Sequence, residues 1–416
     1  MIRSPDHLIV GGGIIGVAIA DALAEAGASV TVIDKGGIGR GCSEGNAGWV
    51  TPCFAMPLPR PGLMLTAARW MMDPGSPFYV SPKPTPAMVR WMARFGRSMS
   101  KARFAAGTEA LVGLSTYSLD AYGSADATLD GGIGLQRRGL LMLALTENGL
   151  ESARADATML HRLGVPGETL DPDGARRLEP ALEGRFAGAV YYPNEAHLEP
   201  LNAVQAIADR AGRAGAVFLD GVEAFDFAVE AGRVAGVSTT QGPIRAGEVI
   251  LATGSWSAPL ARRLGLTLPL LGGKGYSMMV RPPRPHPRIP MMVLERKVAI
   301  TPYGEELRLA GTLELVDGDD SISARRVASI REGAEAVLAL RDVPAADRVW
   351  RGLRPCTPDG LPIIGRVPGF DNLSVATGHQ MLGIQTGPAT GRLMADLLLD
   401  RIPAFDPAPF RAERFL

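Results

Sequence analysis

Leu8-Ile9-Val10-Gly11-Gly12-Gly13-Ile14-Ile15-Gly16 decides the reading of this chain. Its apolar start reads as a short strand, glycines interrupt it, and the Ala-rich residues 14–26 have helical character. Ser29-Val30-Thr31-Val32-Ile33 follows as a second, β-branched strand. Each matching glycine has a task that a side chain would obstruct. Gly11 permits the tight turn, Gly13 lets a pyrophosphate approach the backbone, and Gly16 lets the helix pack on the strand. The helix N-terminus at Ile14 and Ile15 directs N–H groups and partial positive charge at the phosphates. Asp34, followed by Lys35, lies 23 positions after Gly11, where its carboxylate can accept the two hydroxyls of an adenosine ribose. A ligand-free corner gives the same glycines, but strand, helix and acidic residue together make dinucleotide binding the expectation.

The rest of the composition bounds the alternatives. With 416 residues, 46% of them hydrophobic, the chain can bury a large core and should divide into roughly two domains. Lys plus Arg and Asp plus Glu both total 43, so no global field draws nucleic acid or an acidic membrane, and no nucleic acid is expected as a partner. Cys42, Cys53 and Cys356 form no Cys-x-x-Cys pair and the five histidines show no metal spacing, so no metal is expected. That cysteine usage fits a reducing cytoplasm. No signal peptide is apparent, and residues 63–72 contain Arg69 and fall short of the ~20 apolar residues a spanning helix needs.

Nine prolines between Pro52 and Pro86 leave little room for regular structure and suggest a lid or an irregular excursion. Together with residues 63–72 that stretch reads either as a buried lid or as a peripheral contact on the inner face of the cell membrane. Residues 87–180 look mainly helical, with a strand at 140–145, and a β-rich passage starts at 187–192. A helix at 202–214 and strands at 216–219, 224–229 and 249–251 return the chain to an alternating pattern. Strands at 277–280, 298–301 and 307–309 precede a helix at 323–340. The expected fold class is α/β: a discontinuous Rossmann-like domain of residues 1–51, 187–275 and 346–416, with a second α+β domain of 52–186 and 276–345 on a mixed or antiparallel sheet.

Beyond Asp34 the sequence resembles a known family. Gly41-Cys42-Ser43-Glu44-Gly45-Asn46-Ala47-Gly48 is similar to the flavin-contacting turn of the D-amino-acid oxidase superfamily, within which the D-amino-acid dehydrogenases are nearest in pattern. Val249-Ile250-Leu251-Ala252-Thr253-Gly254-Ser255-Trp256-Ser257 resembles the strand and turn that pass the nucleotide. Trp350-Arg351-Gly352-Leu353-Arg354-Pro355-Cys356-Thr357-Pro358-Asp359-Gly360 resembles the arginine-bearing strand, the most specific motif in the chain. Gly378-His379-Gln380-Met381-Leu382-Gly383-Ile384-Gln385-Thr386-Gly387-Pro388 looks like the glycine turn and final flavin-binding helix.

The resemblance implies FAD, held non-covalently, with the first domain binding it and the second binding substrate. It carries Ser43, Asn46, Ala47, Gly48, Val222, Ala252, Thr253, Gly254, Gly378, Leu382, Gly383, Ile384, Gln385 and Thr386 over as cofactor contacts. It makes Arg354 the group that pairs bidentately with a substrate carboxylate and aims Cα–H at the flavin N5 for hydride transfer. Arg351 is the alternative. Tyr276 matches a segment lining the active site and either donates its hydroxyl to substrate or is buried and satisfied by backbone. His379 serves acid–base chemistry or holds a turn. The final helix is expected to start near Thr386, with Pro388 in its first turn and its electropositive end toward the flavin pyrimidine.

Met381 stands where glycine-oxidising relatives carry an arginine, which points to an apolar pocket and a D-amino acid or a cyclic imino acid such as D-proline or hydroxyproline. The implied acceptor is a quinone or the respiratory chain. A sarcosine- or glycine-type oxidase that passes electrons to oxygen and releases peroxide is the runner-up. A non-catalytic flavin-binding subunit or sensor is the reading from another class.

Overall fold

The structure is a computed structural model that describes residues 4–63, 78–80, 85–316, 319, 321–340, 343–344 and 348–415. Its first sheet has six strands in the order Ile363–Arg366, Leu373–Thr377, Glu248–Leu251, His7–Val10, Val30–Asp34, Val217–Asp220. All neighbours run parallel except the antiparallel edge Ile363–Arg366. The strands are near-continuous apolar runs because both faces are covered. Ile9, Val32 and Ile250 enter the core beneath the helices, whereas Leu8, Val10, Val249 and Leu251 enter the core on the opposite face with Val222, Val234 and Val237. The latter three come from or adjoin a small antiparallel sheet of Ala224–Glu230, Arg233–Thr239 and Gly242–Ile244.

The first helix, Ile14–Glu25, is buried along most of its length and packs closely on the C-terminal helix, Gly383–Leu398. One glycine lets this helix sit on its own strand and turn, and another lets the two helices meet. A Cβ on Gly16 would overlap the Gly11 carbonyl oxygen, and a Cβ on Gly391 would overlap the Ala18 carbonyl oxygen. The C-terminal helix starts at Gly383 rather than near Thr386, so Pro388 lies inside it and not in its first turn. A proline there is tolerated because the long helix Lys101–Thr128 supplies partners for the backbone groups that it disturbs.

The second sheet has nine strands and is mixed, as the pattern implied. Val349–Cys356, Leu271–Val280, Glu306–Val316, Val298–Tyr303, Met291–Val293, Leu140–Ala144, Gly188–Tyr192 and Glu168–Leu170 lie in that order, and Phe78–Val80 adds to Glu306–Val316. Gly188–Tyr192 and Val349–Cys356 therefore pair outside the nucleotide sheet, and Leu271–Val280 runs straight through the expected division at 275/276. A strand's period tells which residues share a face, not which sheet receives it. The helix expected at 323–340 spans only Ala324–Glu335. Most of the 63–72 stretch lies outside the described residues. Among the described residues no helix is long and apolar enough to cross a membrane.

Candidate active site

A cleft of about 480 Å³ opens along the C-terminal ends of the parallel strands. Of the residues expected to hold a dinucleotide, Gly11, Gly13, Ile14, Ile15, Asp34, Lys35, Ser43, Asn46, Val222, Ala252, Thr253, Gly254, Gly383 and Ile384 line it. Gly11 stands at φ 113°, and a Cβ there would come within 2.5 Å of the Ala252 carbonyl oxygen. A Cβ on Gly13 would meet only Ser43 Oγ, at 3.4 Å, and would otherwise fill the cleft. Ser43 Oγ accepts the Ile14 N–H at 3.0 Å, which anchors the start of the first helix and leaves the hydroxyl proton to donate. Both Asp34 oxygens are held by backbone N–H groups, of Gly12 at 2.8 Å, Gly36 at 2.8 Å and Gly37 at 3.0 Å. That cradle fixes the carboxylate with lone pairs to spare for ribose hydroxyls.

At this end Lys35 reaches Glu223 at 3.8 Å and stands 4.6 Å over the Trp256 ring. Glu223, Phe225 and Trp256 line the cleft here without having been singled out from the sequence. Phe225 and Trp256 remain 52% and 40% exposed, the burial that a flat apolar ligand could complete. Only Trp256 carried a sequence signal, as an aromatic placed shortly after the expected strand at 249–251.

The loop after Ser43 is stitched to the rest. Asn46 Oδ1 accepts the Gly48 N–H at 2.8 Å and Asn46 Nδ2 donates to the Met381 carbonyl at 3.0 Å. Arg308, also unforeseen, reaches in from the mixed sheet and donates to the Glu44 and Asn46 carbonyls at 2.9 and 2.7 Å. Ala47 offers its carbonyl to Thr301 and Tyr303 at 3.0 and 2.5 Å. Gly48 at φ 72° is packed where a Cβ would strike the Leu198 carbonyl. Ala47, Gly48, Gly16, Gly378, Leu382, Gln385 and Thr386 stand behind the cleft wall. Gln385 Nε2 donates to Ser115 Oγ at 2.9 Å, Thr386 Oγ1 donates to the Leu382 carbonyl at 2.8 Å, and Gly378 occupies a φ of 80° against Thr357.

Arg354 lies next to the cleft residue Pro355. Its Nη1 donates to the Thr312 carbonyl at 2.7 Å. Two local irregularities make that bond. The pairing of Leu271–Val280 with Glu306–Val316 slips between Lys274 and Tyr276, and within the bulge Thr312 takes a φ of 60°, turning its carbonyl out of the ladder. Gly275 clears the space, since a Cβ there would sit in the Arg354 guanidinium. No carboxylate pairs with Arg354 among the described residues, although burial works against its charge. Cys42 lines the cleft nearby, with Sγ donating to the Leu353 carbonyl at 3.0 Å.

Tyr276 is placed differently from the expected substrate contact. It stands opposite Arg351 in the ladder, and its hydroxyl donates to Glu314 Oε1 at 2.6 Å inside the core that contains Ile330. The neighbouring Lys274 ammonium meets Glu314 and Asp319 at 3.7 and 2.8 Å. Arg354 shares the face of Gly275 instead, and alternation sends Tyr276 away from it. His379 touches the cleft, but its Nε2 pairs with Thr390 Oγ1 at 3.0 Å and burial pushes its pKa down to about 3. A neutral imidazole bound inward holds the turn. Cys356 is buried with Trp91, Phe95 and Leu313 rather than on the cleft.

A cleft with one backbone-fixed carboxylate, a glycine facing open space and a helix N-terminus at each flank has the features of a dinucleotide-dependent enzyme. The family described as FAD dependent oxidoreductase matches residues 6–397, and this chain belongs to it. Its cofactor is FAD, for which the residues present fit. A D-amino acid dehydrogenase of Xanthobacter autotrophicus is 34% identical over 421 residues, covering 98% of each chain. One from Bradyrhizobium diazoefficiens is 33% identical over 416 residues, again with 98% of each covered. Among solved structures, glycine oxidase from Geobacillus kaustophilus is 29% identical with a TM-score of 0.80 over 99% of each chain. L-proline dehydrogenase from P. horikoshii shares the fold at 22% identity and TM-score 0.77, covering 100% of this chain and 98% of that one.

Proposed function

We propose that this chain dehydrogenates a small D-amino acid or cyclic D-imino acid of the D-proline or hydroxyproline kind, at the CH–N bond, and passes the electrons to a non-oxygen acceptor such as a quinone. The observation that carries the reading is Arg354: a half-buried guanidinium beside the cleft, oriented by the Thr312 carbonyl and without a carboxylate of its own among the described residues. A substrate carboxylate supplies the missing partner in a charge-assisted pair. The names borne by the relatives from Xanthobacter and Bradyrhizobium support the substrate class.

FAD, when bound, supplies the two-electron acceptor. The protein's part is placement. Arg354 fixes one end of the substrate, and Met381, packed against the same apolar cluster as Phe54 and Leu361, favours a hydrocarbon body over an extra charge. With His379 held neutral and inward, no strong base is assigned, which suits a neutral amine whose nitrogen lone pair assists departure of the hydride. We assign the nucleotide sheet to FAD and the mixed sheet to substrate, and place the protein in the cytoplasm or on the inner membrane face.

Anaerobic mixing with a panel of D-amino, D-imino and N-methyl amino acids tests this. Flavin absorbance should bleach with D-amino or D-imino acids, and dye-coupled turnover should exceed peroxide release. Bleaching by sarcosine or glycine alone, with stoichiometric peroxide, would replace the proposal with an oxidase.

A further inference from the structure

Gln380 is a cleft residue that the foregoing leaves without a task. Its side chain is buried, 8% exposed, it lines the cleft, and Nε2 has no hydrogen-bond partner among the described residues. Its backbone is also in an unfavourable place. At φ 52° it occupies the left-handed region, where glycine or asparagine would be less strained, while its N–H donates to the Pro355 carbonyl at 3.2 Å. A buried amide donor left unpaired and a strained backbone on one residue mark a site whose partner is a ligand.

Position in the sheet says which part of the ligand. Asp34 and Val222 follow strands on one side of His7–Val10, whereas Thr377 and His379 follow Leu373–Thr377, two strands away on the other side. With Asp34 holding the ribose, the opposite end of the cleft receives the ring of the bound flavin. Gln380 stands at that end beside Gly383 and Ile384, whose N–H groups open the C-terminal helix. We infer that Gln380 donates from Nε2 to a pyrimidine carbonyl oxygen of the bound flavin and thereby sets its reduction potential. A donor at that oxygen meets more negative charge in the reduced ring than in the oxidised one, so it favours reduction.

The inference rests on FAD binding and not on the identity of the substrate. It is tested on the holoenzyme by a dithionite titration against reference dyes, with no amine present. In Gln380→Ala and Gln380→Gly we expect FAD to stay bound while the equilibrium constant for two-electron reduction falls about tenfold, which is about 30 mV. Gln380→Glu should lower it further, because a carboxylate repels the charge. The glycine variant suits the φ of 52° and carries the test if the alanine variant is poorly folded. A potential and visible spectrum equal to wild type in the folded variants would overturn the inference: a rise in KM alone would move the hydrogen bond to substrate, and a change in Tm alone would reduce Gln380 to packing.

Discussion

The hydroxyl of Tyr122 donates a 2.7 Å hydrogen bond to the carbonyl of Ile384, the group that Pro388, four residues on, leaves without its helical N–H partner. The same helix supplies Ser118, whose Oγ accepts the Ala389 N–H at 3.1 Å, and Ser115, whose Oγ accepts from Gln385. Spacings of three and four put all three on one helical stripe. Tyr122→Phe should cost roughly 1–3 kcal/mol by stranding a buried carbonyl. Pro388→Ala restores the missing donor, so in the double variant the loss should shrink. Urea melts of the four proteins measure the coupling, and strictly additive losses would contradict this account.

Arg354→Ala should raise the KM for the amino acid by roughly 10- to 100-fold, from loss of a charge-assisted pair worth about 1.5–3 kcal/mol, with FAD content unchanged. Arg354→Lys should recover only part, because a point charge does not replace a planar fork. Steady-state kinetics beside the flavin spectrum reads both. Unaltered KM in the alanine variant removes Arg354 from substrate binding.

Gly391 packs on the first helix where an added Cβ would overlap the Ala18 carbonyl oxygen, between the two helices that flank the cleft. Gly391→Ala should cost about 1–3 kcal/mol through overpacking and weaken FAD retention, since Gly13 to Ile15 and Gly383 to Ile384 move with those helices. Gly113→Ala is the control. It lies exposed in the helix Lys101–Thr128 with nothing near its Cβ position and should gain about 0.5–1 kcal/mol. Thermal melts and gel-filtered flavin content distinguish the two.

What the sequence disclosed follows from how local each constraint is. The strand, turn and helix around Gly11, Gly13, Gly16 and Asp34 could be read because they form within one short run of sequence, although the Ala252 carbonyl that presses on Gly11 comes from far along the chain. Tyr276 could not, because its direction depends on its pairing with Arg351 and on which face Arg354 takes. The start of the last helix was hidden for the same reason: Pro388 looks like a first-turn proline until Tyr122, 262 positions before Ile384, supplies the compensating hydroxyl to the Ile384 carbonyl. Arg308 acts through loop carbonyls 264 and 262 positions distant, and no local pattern announces that.

Two buried titratable groups should bound the stability of the fold from opposite sides. His379 has its pKa pushed down by burial, to about 3 from an ordinary 6.5, so the native state resists a proton that the unfolded chain takes up. Its contribution is complete above pH 6.5 and is lost as pH falls from there toward 3. Glu195 is the reverse: burial raises its carboxyl from 4.5 to about 8, against the stabilising N–H of Cys53 on Oε1 at 3.1 Å. Its contribution is complete below pH 4.5 and is lost as pH rises toward 8. His379→Gln should therefore make the acid limb of a stability–pH curve shallower without removing it, since burial also lowers the pKa of His197, to about 4, and should leave the alkaline limb, while Glu195→Gln should make the alkaline limb shallower. Urea midpoints from pH 4 to 9 report both limbs, and a Glu195→Gln curve parallel to wild type above pH 5 would show that the carboxyl is already ionised in the folded protein.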